Sequence, residues 1–131
     1  MDNCLAPCLA RALNELGKRD NHQVVHLKQK FPENTPDDVW LPKLAGEGDW
    51  VIVSGDFKIT TNPQNREALR ASGLTTFILK KGWINHTPWE QAWRLVKWWP
   101  RIIAAAESIQ QGLVYAVPVN PSSKLRPLGL R

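Results

Sequence analysis

Three aspartates far apart in the chain, Asp2, Asp37 and Asp56, are the residues whose placement could do chemistry. Carboxylates that converge in one crevice repel each other, and each raises its neighbours' pKa unless a cation neutralises them. Hard oxygen donors of this kind suit Mg²⁺ or Mn²⁺, which keep several waters and bind through few carboxylates. A cation held this way can activate a water and brace a phosphate during displacement, so the expected chemistry is phosphodiester hydrolysis. Each acid also has a plain structural use. Asp38 lies three residues after Thr35 and is expected to reach back to the amide of that cap. Asp37, at the second helical position, gains from the helix dipole, and Asp56 follows Ser54-Gly55 in a turn, where Asp is common. Asn62 reads as a helix cap and Asn65 as a surface residue of the same first turn.

The elements that must position these acids follow from pattern. Asn3 is expected to cap a helix to Leu16, with Leu5, Leu9, Leu13 and Leu16 on its apolar side and Gly17 as its stop. Gln23-Val24-Val25-His26-Leu27 reads as a short strand. Thr35-Pro36 opens a second helix, with Thr at the cap and Pro at the first helical position, and Gly46 or Gly48 closes it. Trp50 to Ser54 is a continuous apolar run of the kind found in strands covered on both faces, and it ends at Gly55-Asp56. Asn62-Pro63 starts a helix to Gly73, and Thr75 to Leu79 reads as another buried strand. Thr87-Pro88-Trp89-Glu90 is a capping box that opens the longest helix, in which Trp89, Trp93, Val96 and Ile103 are expected to face the core and Pro100 to kink the axis. Leu113 to Val119 is the last expected strand, placed at an edge because it contains Pro118.

Alternating strands and helices predict a single-domain α/β fold over residues 1–120, with a doubly wound, mainly parallel sheet and helices on both faces. Residues 121–131 read as a basic, mobile tail. A helix that begins at Asn3 would follow a strand in such a fold, and only Met1 and Asp2 precede it, so the first strand is read as truncated. With Asp2 at the end of that strand, the simplest sheet order is 2-1-3-4. Direction then reverses between the first strand and the Val51–Ser54 strand, and ligands of open α/β sheets bind outside the carboxyl ends of strands at such a point. Asp2 and Asp56 would flank the crevice, and Asp37 would open its helix on the same edge.

Size and charge set the class. A chain of 131 residues suits one core, and no apolar run approaches the roughly eighteen residues needed to span a bilayer. The Met1-Asp2-Asn3-Cys4 start has no basic region followed by an apolar stretch, so a cytoplasmic location is expected. Cys4 and Cys8, one helical turn apart, are expected to pack as small apolar residues, and His22, His26 and His86 supply no zinc-ligand spacing. Seventeen Lys and Arg against twelve Asp and Glu give a formal charge of +5, which favours a polyanionic partner. Seven tryptophans could stack on unpaired RNA bases. Trp50, Trp89 and Trp93 read instead as core, whereas Trp83, in the loop after a strand, is a candidate substrate contact. Lys58, Arg66 and Lys81 are candidate phosphate contacts, with a solvated surface as the competing use of each lysine.

Asp2-Asn3, Leu5-Ala6-Pro7, Leu9 to Leu13, Asp37 to Leu41 and Val51 to Asp56 together resemble the PIN-like domains of VapC-type toxins. The resemblance continues through Asn62-Pro63, Phe77 to Trp83, Trp89 to Trp93 and Val117-Pro118-Val119. It implies a Mg²⁺-dependent (or Mn²⁺-dependent) ribonuclease in which Asp2, Asp37 and Asp56 take the acidic roles and Ser54 is the small hydroxyl residue before the last acid. It also implies an RNA substrate, an antitoxin protein as partner, and pairing of two copies of the chain.

Other classes remain open on the same residues. A catalytically inactive PIN-like module would bind RNA or an antitoxin through its basic surface and tail. A receiver-like phosphoacceptor would use the acids with Lys80 or Lys81 and leave Asp37 idle. A Ser/His/Asp hydrolase built on Ser54 and His86 lacks a nucleophile elbow.

Overall fold

The computed structural model describes residues 1, 5–56, 58–108 and 111–129. Four strands form one sheet in the order β1-β2-β3-β4: β1 is Ile52–Ser54, β2 Thr76–Leu79, β3 Val114–Val117 and β4 Arg126–Leu128. The first three are parallel, with Val53 opposite Phe77 and Phe77 opposite Tyr115, and β4 is antiparallel to β3. Five helices accompany them: α1 Pro7–Gly17, α2 Asp37–Glu47, α3 Lys58–Thr61, α4 Pro63–Ser72 and α5 Pro88–Ala106.

Strand alternation divides the core in two. Val53, Phe77, Leu79 and Val117 face one layer with Leu5, Leu9 and Leu13 before and along α1 and Leu95, Trp98 and Ile102 of α5. Ile52, Ile78 and Val114 face the other, with Trp40, Leu41 and Leu44 of α2, Ile59 of α3 and Leu69 of α4. The result is the expected α/β arrangement, a mostly parallel sheet with helices on both faces.

Several caps follow the expected chemistry. The Asn62 side chain accepts from the amides of Gln64 and Asn65, and Gly73 ends α4 in the left-handed region at φ 66°. Thr87 and Glu90 form the reciprocal capping box of α5. Gly48 closes α2. Other local expectations fail. Gly17 is right-handed, and the chain continues through a 3₁₀ turn to Asn21, which takes the left-handed conformation at φ 59°. Gly17 is used for close approach, since a Cβ there would meet the His22 Cβ at 3.2 Å. Leu16 and Cys8 are exposed, while Asn3 and Cys4 lie outside the described residues. Thr35 turns its hydroxyl to the Pro32 carbonyl, leaving Pro36 at the cap position of α2.

Three larger corrections concern strands and helix phase. Residues 23–26 form no strand, and Leu27 opens a 3₁₀ turn, Leu27–Gln29, with His26 as its extended cap. Among the described residues, their neighbour on one side is Met1, whose amino group donates to the Val25 carbonyl (2.8 Å) and whose carbonyl accepts from the Leu27 amide (2.7 Å). On the other side, the amides of Val24 and His26 are taken by the side chains of Asn14 and Gln29. The segment read as a tail contributes β4, so β3 is interior and Pro118 lies past its end. Trp89 and Trp93 are not core residues: they are 86% and 50% exposed, and α5 buries Gln91, Leu95, Trp98 and Ile102 instead.

Candidate active site

Asp56 stands just beyond the carboxyl end of β1. Its amide donates to the Ser54 hydroxyl (3.0 Å), and its carboxylate accepts from the Lys58 amide (2.9 Å), so it is held in a turn that leads into α3. Asp37 opens α2, half-buried, and its carboxylate accepts from the indole nitrogen of Trp40 one turn on (2.9 Å). Asp38 accepts from the side-chain amide of Gln64 in the first turn of α4, in place of capping its own helix.

That last bond joins the first turns of two helices. It ties the start of α2 to the start of α4, and α4 is reached from the end of β1 through Asp56 and α3. The start of α2, where Asp37 lies, is therefore next to the start of α4, and Asp56 lies on the connection from the carboxyl end of β1 to α4. Asp2 lies outside the described residues. Among the described residues no group of three or more His, Cys, Asp or Glu side chains is arranged to hold a metal ion.

The other candidates divide by exposure. Lys58 and Lys81 are exposed and Arg66 is half-buried, on the loops and first turns that leave β1 and β2. Ser54 is fully buried, and its hydroxyl is used by the Asp56 amide, so it shapes the turn and does not face a substrate. Trp83 is also fully buried: its indole donates to the Val117 carbonyl (3.0 Å), and the Gln91 side chain donates to its own carbonyl (2.8 Å). It plugs the end of the core between β3 and α5 and is removed from the list of substrate contacts. Aromatic surface is supplied instead by Trp89 and Trp93 on α5, where the Arg94 guanidinium lies 4.4 Å from the Trp93 ring centre.

One comparison with known proteins gives a family. The family described as "PIN like domain" matches residues 1–81, a stretch that holds α1 to α4, β1, β2 and the three aspartates. The chain belongs to the PIN-like domain family. PIN domains are in general nucleases, so a nuclease-type function is the coarse assignment that membership supports. No curated protein and no solved structure matches the chain.

A cavity of about 530 Å³ lies elsewhere, between residues 21–27 and the start of β1. None of Asp37, Asp38 and Asp56 lines it, so this cavity and those acids are distinct features of this PIN-like domain.

Proposed function

We propose that the chain is a metal-dependent endoribonuclease, the toxin of a toxin–antitoxin pair, with Asp2, Asp37 and Asp56 as its acidic ligands. The observation that supports the reading is the bond between Asp38, beside Asp37, and Gln64 at the start of α4, the helix that the chain reaches from β1 through Asp56. Carboxylates are the donor type that Mg²⁺ or Mn²⁺ prefers, and the ion would supply positive charge against a phosphate and ease deprotonation of water. The chain's own part is to hold the acids: Trp40 orients Asp37, and the Ser54–Asp56–Lys58 turn orients Asp56. Lys58, Arg66 and Lys81 would draw in the RNA backbone, in keeping with the formal charge of +5. The toxin role, the antitoxin partner, the paired copies and the cytoplasmic location rest on the resemblance to VapC-type toxins. No described helix is long and apolar enough to cross a membrane.

Incubation with structured RNA and Mg²⁺, with and without chelator, tests the reading. Chelator-sensitive cleavage that Asp56→Asn abolishes is the expected result; cleavage that survives Asp56→Asn removes the acidic site from the mechanism.

The second reading, a non-catalytic module that binds RNA or an antitoxin, is favoured by the exposed Trp89 and Trp93 on α5. It predicts RNA or antitoxin binding with no metal-dependent cleavage.

A further inference from the structure

Helix α5 carries large side chains on two opposite faces. Gln91, Leu95, Trp98 and Ile102 are buried, the last three in the layer that holds Val53, Phe77 and Val117. Half a turn away, Trp89, Trp93 and Val96 are exposed, and their spacings of four and three residues set them in one line along the helix. The helical rise separates Trp89 from Trp93 by about 6 Å along the axis. A tryptophan left in water withholds a large apolar area from the core, and two on successive turns make a contiguous patch of the kind that marks a binding surface.

The charge beside the rings is positive. The Arg94 guanidinium lies over the Trp93 ring, 4.4 Å from its centre, and donates to the Glu90 carbonyl (3.2 Å). Lys97 is exposed one turn beyond Trp93, and Lys81 is exposed on the loop from β2 into α5. The acid on this stretch, Glu90, is engaged by Thr87 and His86 at the start of the helix. The face is also joined to a defined edge of the sheet. Lys80, just past β2, donates its amide to the Val117 carbonyl at the end of β3, and Trp83, which bonds the same carbonyl, is held in turn by Gln91 of α5. Strand β1 is parallel to both, and Asp56 follows its carboxyl end. The first turns of α5 therefore lie towards the carboxyl edge, and Lys97 lies farther from it than Trp89.

We propose that this face of α5 is a binding track for unpaired RNA, with one base stacked on Trp89, a second on Trp93 beside Arg94, and backbone phosphates against Lys81, Arg94 and Lys97. The inference rests on the ribonuclease reading for the choice of RNA and adds the state that the RNA must be in; it gives these residues no part in cleavage. Every base has a π-face, so stacking accepts any sequence, whereas a duplex keeps its bases stacked on one another inside the helix. An apolar partner would have to desolvate Arg94 without pairing it, while a nucleotide offers the ring a base and the guanidinium a phosphate.

The test uses the full chain in metal-free buffer with chelator, so that binding is read without cleavage. The probes are a fluorescein-labelled oligouridylate of about twelve nucleotides, within the span of known single-strand sites, and the same strand paired with oligoadenylate. Trp89→Ala and Trp93→Ala are each expected to weaken binding of the single strand at least about fivefold, the lower end of what one stacked base contributes, and the duplex should bind the unaltered chain at least about fivefold more weakly. Val96→Ser removes apolar surface but no ring and should change affinity by less than about twofold. Because all three positions are exposed, Tm should stay within about 2 °C, which separates lost binding from lost fold. Alanine variants that bind like the unaltered chain, equal affinity for the duplex, an equal loss in Val96→Ser, or no binding by the unaltered chain overturns the proposal. So does a concentration-dependent dimer that Trp89→Ala disperses while RNA affinity is unchanged, since the face would then belong to a second copy. Cleavage in Mg²⁺ is scored separately: binding through the rings without cleavage removes the ribonuclease reading and keeps the track, and cleavage without any dependence of binding on the rings does the reverse.

Discussion

The carboxylate of Asp37 is fastened to the indole nitrogen of Trp40 at 2.9 Å, and Trp40 is itself buried among Leu41, Leu44 and Ile52. A surface acid is thus positioned by a core side chain. Trp40→Phe removes the donor and some ring volume while leaving Asp37 in place. Stability should fall by about 1–3 kcal/mol. In a Mg²⁺ titration of RNA cleavage, the metal concentration needed for half-maximal rate should rise by about tenfold, as for other partners that orient a ligand. An unchanged titration with lowered Tm would mean that Trp40 serves packing alone.

The tryptophans should separate into two groups under urea denaturation. Trp83→Phe loses the bond to the Val117 carbonyl and leaves space in the core, at a cost of about 2–3 kcal/mol. Trp89→Ala, on an exposed site, should move stability by less than about 0.5 kcal/mol. RNA affinity should respond in the opposite order if the α5 face takes part in binding.

Lys58, Arg66 and Lys81 should act through charge. Each replaced by Gln is expected to weaken single-stranded RNA binding across sequences and to reduce the slope of log K against log salt by about 0.7 per lost phosphate contact. A position whose replacement leaves the slope unchanged is solvated surface.

Acid should loosen the start of α5. The Thr87 backbone amide, then the His86 and Thr87 side chains, hold the Glu90 carboxyl below its ordinary 4.5. A depressed folded-state value means that this stabilisation is present above about pH 4.5 and is lost as pH falls through the lower folded value. Glu47 is shifted the same way by Lys30 and then Trp50. Tm measured from pH 7 down to pH 3 should therefore decline on the acid side. Glu90→Gln should start lower at pH 7 and show a shallower decline.

Much of this molecule was legible because local chemistry and burial agree. The Asn62 and Thr87 caps, the Gly73 stop and the apolar runs of β1 and β2 each specify one outcome. Helix α5 was misphased because it carries two apolar stripes of equal period, one through Trp89, Trp93 and Val96 and one through Leu95, Trp98 and Ile102. The buried stripe begins at Gln91, whose polar side chain is satisfied by the Trp83 carbonyl, a partner that periodicity does not reveal. Trp83 is buried although its loop position suggests a substrate contact, because an indole bonded to the backbone can be buried as readily as an aliphatic group. Residues 23–27 have the composition of a strand, yet a strand needs a neighbour, and among the described residues Met1 is the one that pairs with them on that side.

The two borders of the sheet differ in how they meet other chains. Val114 and Ala116 pair with Leu128 and Arg126, so alternation turns Pro127, opposite Tyr115, to the outside of β4. A proline there presents no amide and an adjacent arginine presents a charge, two devices that discourage edge-to-edge growth into fibrils. These features disfavour polymerisation through this border, and any aggregation of the isolated chain should start at the opposite one.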